Sequence, residues 1–589
     1  MDLLFAHADD GSPFLDQQPD SRSAAAETER VETHDPDKLA SMTGNTSDLK
    51  AQRWALVVPD NAAGRRLEAV VKPLVKQRAE DQQFPVVTIH VPPGMDADAA
   101  GKWKKNTFPR EYGYDKEHGY GKEYKSEEKH RPRYLLILGD MDGVSLETQQ
   151  ALAGDGLPGR LVCPNERGYE AYVDKVLTWQ RTPSAQRKAR ALFYTVHDGT
   201  AATRAGYDKL VQPCYAQCNT ELRDAPAKFL ASSVEDHGDR PDPDRFLELG
   251  SVRHPSVLLS MSHGMGPPRR RAWSPAEARA LQGAMSFGSE GPLRPEDIAE
   301  NAFLPGGVWF YFACFGAGVP NHSAYHHWLT MLAERGMQGL DHLQTVLRGL
   351  DPKHGFTSGL AQAALANPDG PLAVMSHVDL AWSDSYEAPG TGAPAPGGGR
   401  ANSFFLLLKE LLEHNDYTHR PGRVGAAMAH LVLALDAASR DLNDLYDQCK
   451  KEGLNPEGAS HEAQIELGNL WMLRQDLRGY VLLGDPAVHL PLANAPQRRA
   501  GAGLLPHLSG AGATQADPDE PDVVGGQVDA ARLDEVEEGI LELASGERSS
   551  SQVSKSLKLP LTQVKQWERA YRDAGRRALQ RLMLEQEDA

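Results

Sequence analysis

The sequence predicts an α/β fold, with a parallel sheet flanked by helices, preceded by an α/β subdomain and followed by a small all-α domain. Three observations predict it. Short apolar runs that suit buried strands recur along the chain. Stretches with helical apolar spacing separate them, as parallel sheets require. Beyond residue 491 the composition shifts to Ala, Gly, Pro and Asp, which marks a linker before a final helical segment.

In chain order, residues 1–50 carry eleven acids against Arg22, Arg30, Lys38 and Lys50, a net of −7. That composition predicts disorder, or folding only against a partner. Trp54-Ala-Leu-Val-Val-Pro is the first strand, followed by a helix through Leu67, Val70, Val71, Leu74 and Val75, and a second strand from Val86. Residues 101–131 are rich in Lys, Glu, Tyr and Gly and read as an exposed insertion. Tyr134 to Leu138, ending in Gly139-Asp140, is a third strand. A second series follows, with strands at 191–196, 256–262, 308–314 and 372–378. The Pro/Gly stretch 387–400 is a loop. Helices are predicted at 402–414 and 423–448, then a strand and turn at Tyr480-Val-Leu-Leu-Gly-Asp485-Pro486. The domains are therefore 1–50 disordered and acidic, 51–183 N-terminal α/β, 184–495 main α/β, 496–530 linker and 531–589 helical.

Length and charge bound the function. The chain has 589 residues, 63 basic and 81 acidic, for a net charge of −18. This argues against a protein whose main role is coating nucleic acid. Five cysteines, at 163, 214, 218, 314 and 449, make no disulfide framework and fit a reducing compartment. No secretory leader is evident, and the longest nearly uncharged apolar run, Gly306 to Val319, is too short to span a bilayer. The expectation is a soluble cytoplasmic protein with no membrane partner.

The strongest chemical signal is a pair of strand ends. Ser256-Val-Leu-Leu-Ser-Met-Ser-His263-Gly264 is an apolar strand ending in His-Gly, and Val308-Trp-Phe-Tyr-Phe-Ala-Cys314-Phe-Gly-Ala-Gly318 is one ending in Cys and small residues. In a parallel sheet both ends lie on one edge, where ligands bind. A thiol needs a nearby base to act as thiolate, and imidazole is the usual one. The N–H groups of Gly264 and Cys314 can then form an oxyanion hole.

These strand ends resemble the caspase-like clan of cysteine peptidases, in its gingipain-like and CHAT branches. The interval from His263 to Cys314 is similar to that of caspases. Tyr134-Leu-Leu-Ile-Leu-Gly-Asp with Gly159-Arg160 is similar to the non-catalytic subdomain of gingipain-like enzymes. Gly291-Pro-Leu-Arg-Pro-Glu-Asp-Ile resembles a CHAT segment, and Tyr480-Val-Leu-Leu-Gly-Asp-Pro the strand that closes such domains. The resemblance covers residues 52–490. It implies a caspase-like fold and a cysteine endopeptidase without a cofactor. His263 would act as base then acid, and Cys314 would form an acyl-enzyme on a protein substrate. The clan builds its substrate pocket where this chain has Asp198, Asp379 and Asp384, which suggests cleavage after a basic residue. A role in bacterial defence or cell-death signalling is implied by the resemblance alone.

Weaker candidates remain. His322, His326 and His327 cluster after the Cys strand but lack an acidic or thiol partner, so no metal is expected. Cys214 and Cys218 lack a second pair. Arg269-Arg270-Arg271 reads as a solvated loop, with self-processing there as the alternative. Residues 547–581 have nine basic and three acidic residues, and 562–571 resembles the second helix of a helix-turn-helix. Residues 531–589 therefore suit either DNA or a regulatory protein. The alternative to a peptidase is a DNA-binding regulator or docking scaffold with a silent peptidase-like domain. The sequence leaves the oligomeric state open.

Overall fold

The computed structural model describes residues 1–33, 45–106, 132–350, 355–387 and 399–493, apart from 16, 155, 239 and 416, with 114–115, 119–120 and 556. The expected linker 496–530 and helical domain 531–589 lie outside the described residues, residue 556 excepted. So do most of the 101–131 insertion and of the 387–400 loop. Residues Met1–Arg498 form one compact unit.

Twelve strands carry the argument. They are β1 (Phe5–His7), β2 (Trp54–Pro59), β3 (Val87–Val91), β4 (Tyr134–Leu138), β5 (Leu157–Leu161), β6 (Ala189–Thr195), β7 (Ala231–His237), β8 (Ser256–Met261), β9 (Gly264–Gly266), β10 (Val308–Phe312), β11 (Ala373–His377) and β12 (Tyr480–Gly484). Ten of them make one sheet in the order β3-β2-β4-β5-β12-β11-β10-β8-β6-β7. The predicted N-terminal and main α/β regions thus share a continuous sheet. Every neighbouring pair is parallel except β11 with β12. That one reversal divides the sheet into two halves whose strands point oppositely.

The strands read as unbroken apolar runs because helices cover both faces, and β2, β4, β8, β10, β11 and β12 are buried throughout. The last strand, β12, lies centrally and bridges the halves. Its turn explains the Gly484-Asp485-Pro486 motif. Asp485 Oδ2 accepts from Arg78 Nε and Nη2 at 2.9 and 2.7 Å, while its Oδ1 accepts from the Trp54 indole at 2.9 Å. Both charged side chains are buried, and Arg78 Nη1 also donates to Asp81 Oδ2 at 2.6 Å.

One expectation is corrected, and one further helix is found. The acidic segment 1–50 is not disordered among its described residues: Leu3, Leu4, Phe5, Ala6 and Phe14 are core residues, and Ser21–Glu27 forms a 3₁₀-helix. Average composition hid the apolar run Leu3-Leu4-Phe5-Ala6, which buries enough surface to offset the ordering cost. The helix His461–Arg478 was not read from the sequence. It packs against Ser21–Glu27, where a Cβ on Gly468 would lie 2.0 Å from the Ser21 carbonyl oxygen.

Removing Asp485 takes the partner of Nε and Nη2 from the buried Arg78 guanidinium and leaves Nη1 on Asp81 and Gln180. Asp485→Ala is expected to lower unfolding free energy by about 2–3 kcal/mol, measured by chemical denaturation. A loss below about 1 kcal/mol would mean that the joint is solvated.

Candidate active site

The candidate site forms where β6, β8, β10 and β11 end. Strands β8 and β10 are parallel neighbours, with Met261 opposite Phe312. His263 and Cys314 each stand two residues beyond that pair, so the sheet register brings them to one edge. Both are fully buried. Contact between the two strand ends requires Gly264, since a Cβ there would lie 2.0 Å from the Cys314 carbonyl oxygen. The turn after Cys314 is tight as well: Phe315 has φ +56°, a conformation that costs a non-glycine residue about 1–3 kcal/mol. It is held by the Phe315 N–H donating to the Asp379 carbonyl at 2.8 Å, and that of Ala317 donating to the His377 carbonyl at 2.9 Å.

A hydroxyl network sets the imidazole. Asp198 Oδ1 accepts from the Thr200 N–H at 3.0 Å and from the Thr200 and Thr203 hydroxyls at 2.8 Å each. With its proton committed to Asp198, Thr200 Oγ1 accepts from His263 Nε2 at 2.9 Å. That assignment puts the ring proton on Nε2 and leaves Nδ1, which is buried and has no hydrogen-bond partner, as the free basic nitrogen. Asp198 Oδ2 lies 3.5 Å from Nε2. Burial holds the imidazole below its ordinary range, against the pull of Asp198. Burial pushes the Cys314 thiol well above its own, although the Ala381 N–H, 3.0 Å from Sγ, favours thiolate. Burial thus favours the uncharged form of both groups.

Two backbone donors converge on one carbonyl oxygen, that of Leu4. The Gly264 N–H donates to it at 2.9 Å and the Cys314 N–H at 3.2 Å. Residues 2–4 run antiparallel to 381–383: the Leu4 N–H donates to the Ala381 carbonyl at 3.1 Å, and the Ser383 N–H to the Asp2 carbonyl at 3.0 Å. Leu3 bridges Trp382 between them. Strand β1 then continues parallel to β9, with Phe5 opposite Gly264.

The three candidate pocket carboxyls differ in their surroundings. Asp379 is occupied as a tie, its Oδ2 accepting from the Ala324 N–H and its Oδ1 from the Leu380 N–H, both at 2.8 Å. Asp198 orients Thr200 and keeps Oδ2 without a hydrogen-bond partner. Asp384 is buried beside the 381–383 wall, and its Oδ2 is likewise unpartnered.

A residue that sequence reasoning missed holds that wall. Asp476, wholly buried, accepts from the Trp382 N–H at 2.9 Å and from the Ser385 N–H at 3.0 Å. His377 packs beside it, Nε2 lying 3.4 Å from Asp476 Oδ1. Burial works against a charged His377, yet Asp476 raises its pKa. The signal available was the apolar spacing of Leu467, Leu470, Trp471 and Leu477, which marks a helix carrying Asp476.

The other candidates are placed elsewhere. His327 pairs with Glu27 at 2.6 Å. Cys214 and Cys218 are buried in the helix Gln212–Asp224. Arg271 pairs with Glu277, and Arg269 contacts residues 9–12. Among the described residues no group of three or more His, Cys, Asp and Glu side chains is arranged to hold a metal ion, and no helix is long and apolar enough to cross a membrane.

Burial, reinforced by Asp476, pushes the Asp384 carboxyl up to about 7, from an ordinary value of 3.8. The unfolded chain then ionises first as pH rises, so this group contributes a loss of stability between about pH 4 and pH 7. Asp384→Asn is expected to flatten that decline by roughly 2–4 kcal/mol, measured by denaturation across the interval. An unchanged slope would place the titration elsewhere.

No protein-family model and no curated relative matches the chain. Among solved structures it is similar to one described as a protease, at 13% identity and TM-score 0.41, covering 76% of this chain and 79% of that one. It is also similar to the Arg-specific cysteine proteinase gingipain R, at 11% identity and TM-score 0.40, covering 75% and 78%. A complex of the Porphyromonas gingivalis RgpB pro- and mature domains aligns at 11% identity and TM-score 0.36, covering 74% and 79%.

Proposed function

We propose that this chain is a caspase-like cysteine endopeptidase. The observation that carries the reading is the convergence at one sheet edge. His263 and Cys314 stand two residues beyond a register-matched pair, and the N–H groups of Gly264 and Cys314 meet on a single carbonyl oxygen. In this reading His263 Nδ1 takes the Cys314 proton as sulfur attacks a substrate carbonyl. The two N–H groups receive the developing oxyanion. The protonated imidazole then gives its proton to the leaving amine, and water hydrolyses the acyl-enzyme by the same base. The Thr200–Asp198 pair holds the ring in the tautomer this needs and faces the imidazolium with a carboxyl group.

Cleavage after a basic residue fits the two buried carboxyl oxygens, Asp198 Oδ2 and Asp384 Oδ2, that have no hydrogen-bond partner. An Arg or Lys side chain entering there would meet a charge-assisted acceptor. Five unpaired, buried cysteines fit a reducing compartment, and we assign the protein to the cytoplasm on that basis.

The test is covalent labelling with a peptidyl electrophile bearing Arg at the cleavage position, followed by peptide mass spectrometry. Labelling is expected at Cys314 alone, lost in Cys314→Ala and slowed roughly 100-fold or more in His263→Ala. Labelling at Cys163 or Cys449 instead would overturn the assignment.

A further inference from the structure

We propose that residues 1–15 are a built-in occupant of the substrate groove, which closes the site until the segment leaves. The inference rests on that groove being the substrate groove, and three observations carry it.

First, the segment lies as a substrate would. The Leu4 carbonyl takes both converging N–H donors, and the residues before it pair antiparallel with 381–383 while those after it pair with β9. The Leu4–Phe5 peptide bond therefore sits at the position of a bond under attack.

Second, the segment is clasped in place. Phe5 is wholly buried, stacked on Phe14 with centroids 4.2 Å apart and edge-on to Phe315 at 5.3 Å. A Cβ on Gly266 would lie 2.4 Å from the Phe5 ring, so the groove floor leaves this space for an aromatic ring. The chain then turns back, the Phe14 N–H donating to the Phe5 carbonyl at 3.0 Å. Outside the groove, the Arg269 guanidinium donates to Asp10 Oδ2 at 3.3 Å and to Ser12 Oγ at 2.6 Å, and its backbone N–H donates to Asp9 Oδ1 at 3.2 Å. This gives the Arg269 loop a task that its sequence alone did not assign.

Third, the occupant is mismatched at the position that matters for cleavage. Leu4 carries no charge, and with the segment seated Asp198 Oδ2 and Asp384 Oδ2 have no hydrogen-bond partner. A segment that fills the backbone positions without satisfying the side-chain acceptors blocks the site and is a poor substrate. Tethering adds to the block. A segment held in cis acts at an effective concentration of about 1 mM, so a free peptide of equal affinity at about 10 μM is outcompeted roughly 100-fold.

The experiment reads access to the thiol rather than turnover. Iodoacetamide alkylation of Cys314 is followed by peptide mass spectrometry in the full chain, in Arg269→Ala, which opens the outer clasp, and in Phe14→Ser, which removes the ring stacked on Phe5. Cys163 and Cys214, buried elsewhere, report on global unfolding. Alkylation of Cys314 is expected to rise roughly 5- to 10-fold in Arg269→Ala and further in Phe14→Ser, with Cys163 and Cys214 unchanged. A synthetic peptide of residues 1–18 is expected to restore the slow rate. Equal Cys314 rates in all three proteins, or a gain matched at Cys163 and Cys214, would overturn the proposal. Faster alkylation without any peptide hydrolysis would leave the occupant established and overturn the peptidase reading alone.

Discussion

The in-register pairing of β8 with β10 is the constraint on which the candidate site depends. Side chains beyond the ends of two strands have no fixed relation unless the ladder between them fixes one. Here Met261 opposite Phe312 puts His263 and Cys314 at matching distances from the last shared pair. The close approach of Gly264 to the Cys314 carbonyl then leaves no room for a slip. A slip of one residue in either strand would turn that strand's side chains to the other face of the sheet and part His263 from Cys314. Imidazole placement, thiol placement and the direction of two N–H groups all follow from this register.

Buried carboxyls do the remaining organising, each by holding backbone or a cation. Asp476 fastens the wall at 382–385, Asp379 ties the turn after Cys314 to the 323–325 loop, and Asp485 fastens the end of β12 to β2 and to the 72–82 helix through Trp54 and Arg78. A carboxyl accepting two or more N–H bonds in a dry interior is satisfied only in one arrangement of its donors, so it specifies geometry as well as adding stability. Asp198 and Asp384 differ because each keeps an oxygen without a hydrogen-bond partner.

Closure and chemistry are coupled through solvent. With residues 2–7 in place, Cys314 and His263 are both shut away from water, and burial favours the uncharged form of each. In the proposed reading, hydration or a polar peptide in the groove lowers the cost of forming the charged thiolate and imidazolium. In that reading, the same contacts that fill the groove also favour the uncharged forms of its thiol and imidazole.

Much of this was legible before any coordinates. Continuous apolar runs mark strands covered on both faces, so β2, β4, β8, β10, β11 and β12 stand out, and the His-Gly and Cys-Phe-Gly endings single out the site. The helix carrying Asp476 was missed because its spacing is weak beside the strand that follows it. The segment 1–33 was misread because its acids outnumber the few apolar residues that anchor it. By itself the sequence determined the α/β class and the long apolar strands, and it put His263 and Cys314 forward as candidates, since local apolar pattern and residue chemistry suffice for these. Only the tertiary structure decided the single antiparallel seam between β11 and β12, the tautomer imposed by Thr200, and the seating of Leu4 between Gly264 and Cys314. Those depend on contacts between residues far apart in the chain, and local sequence carries no record of which distant groups will meet.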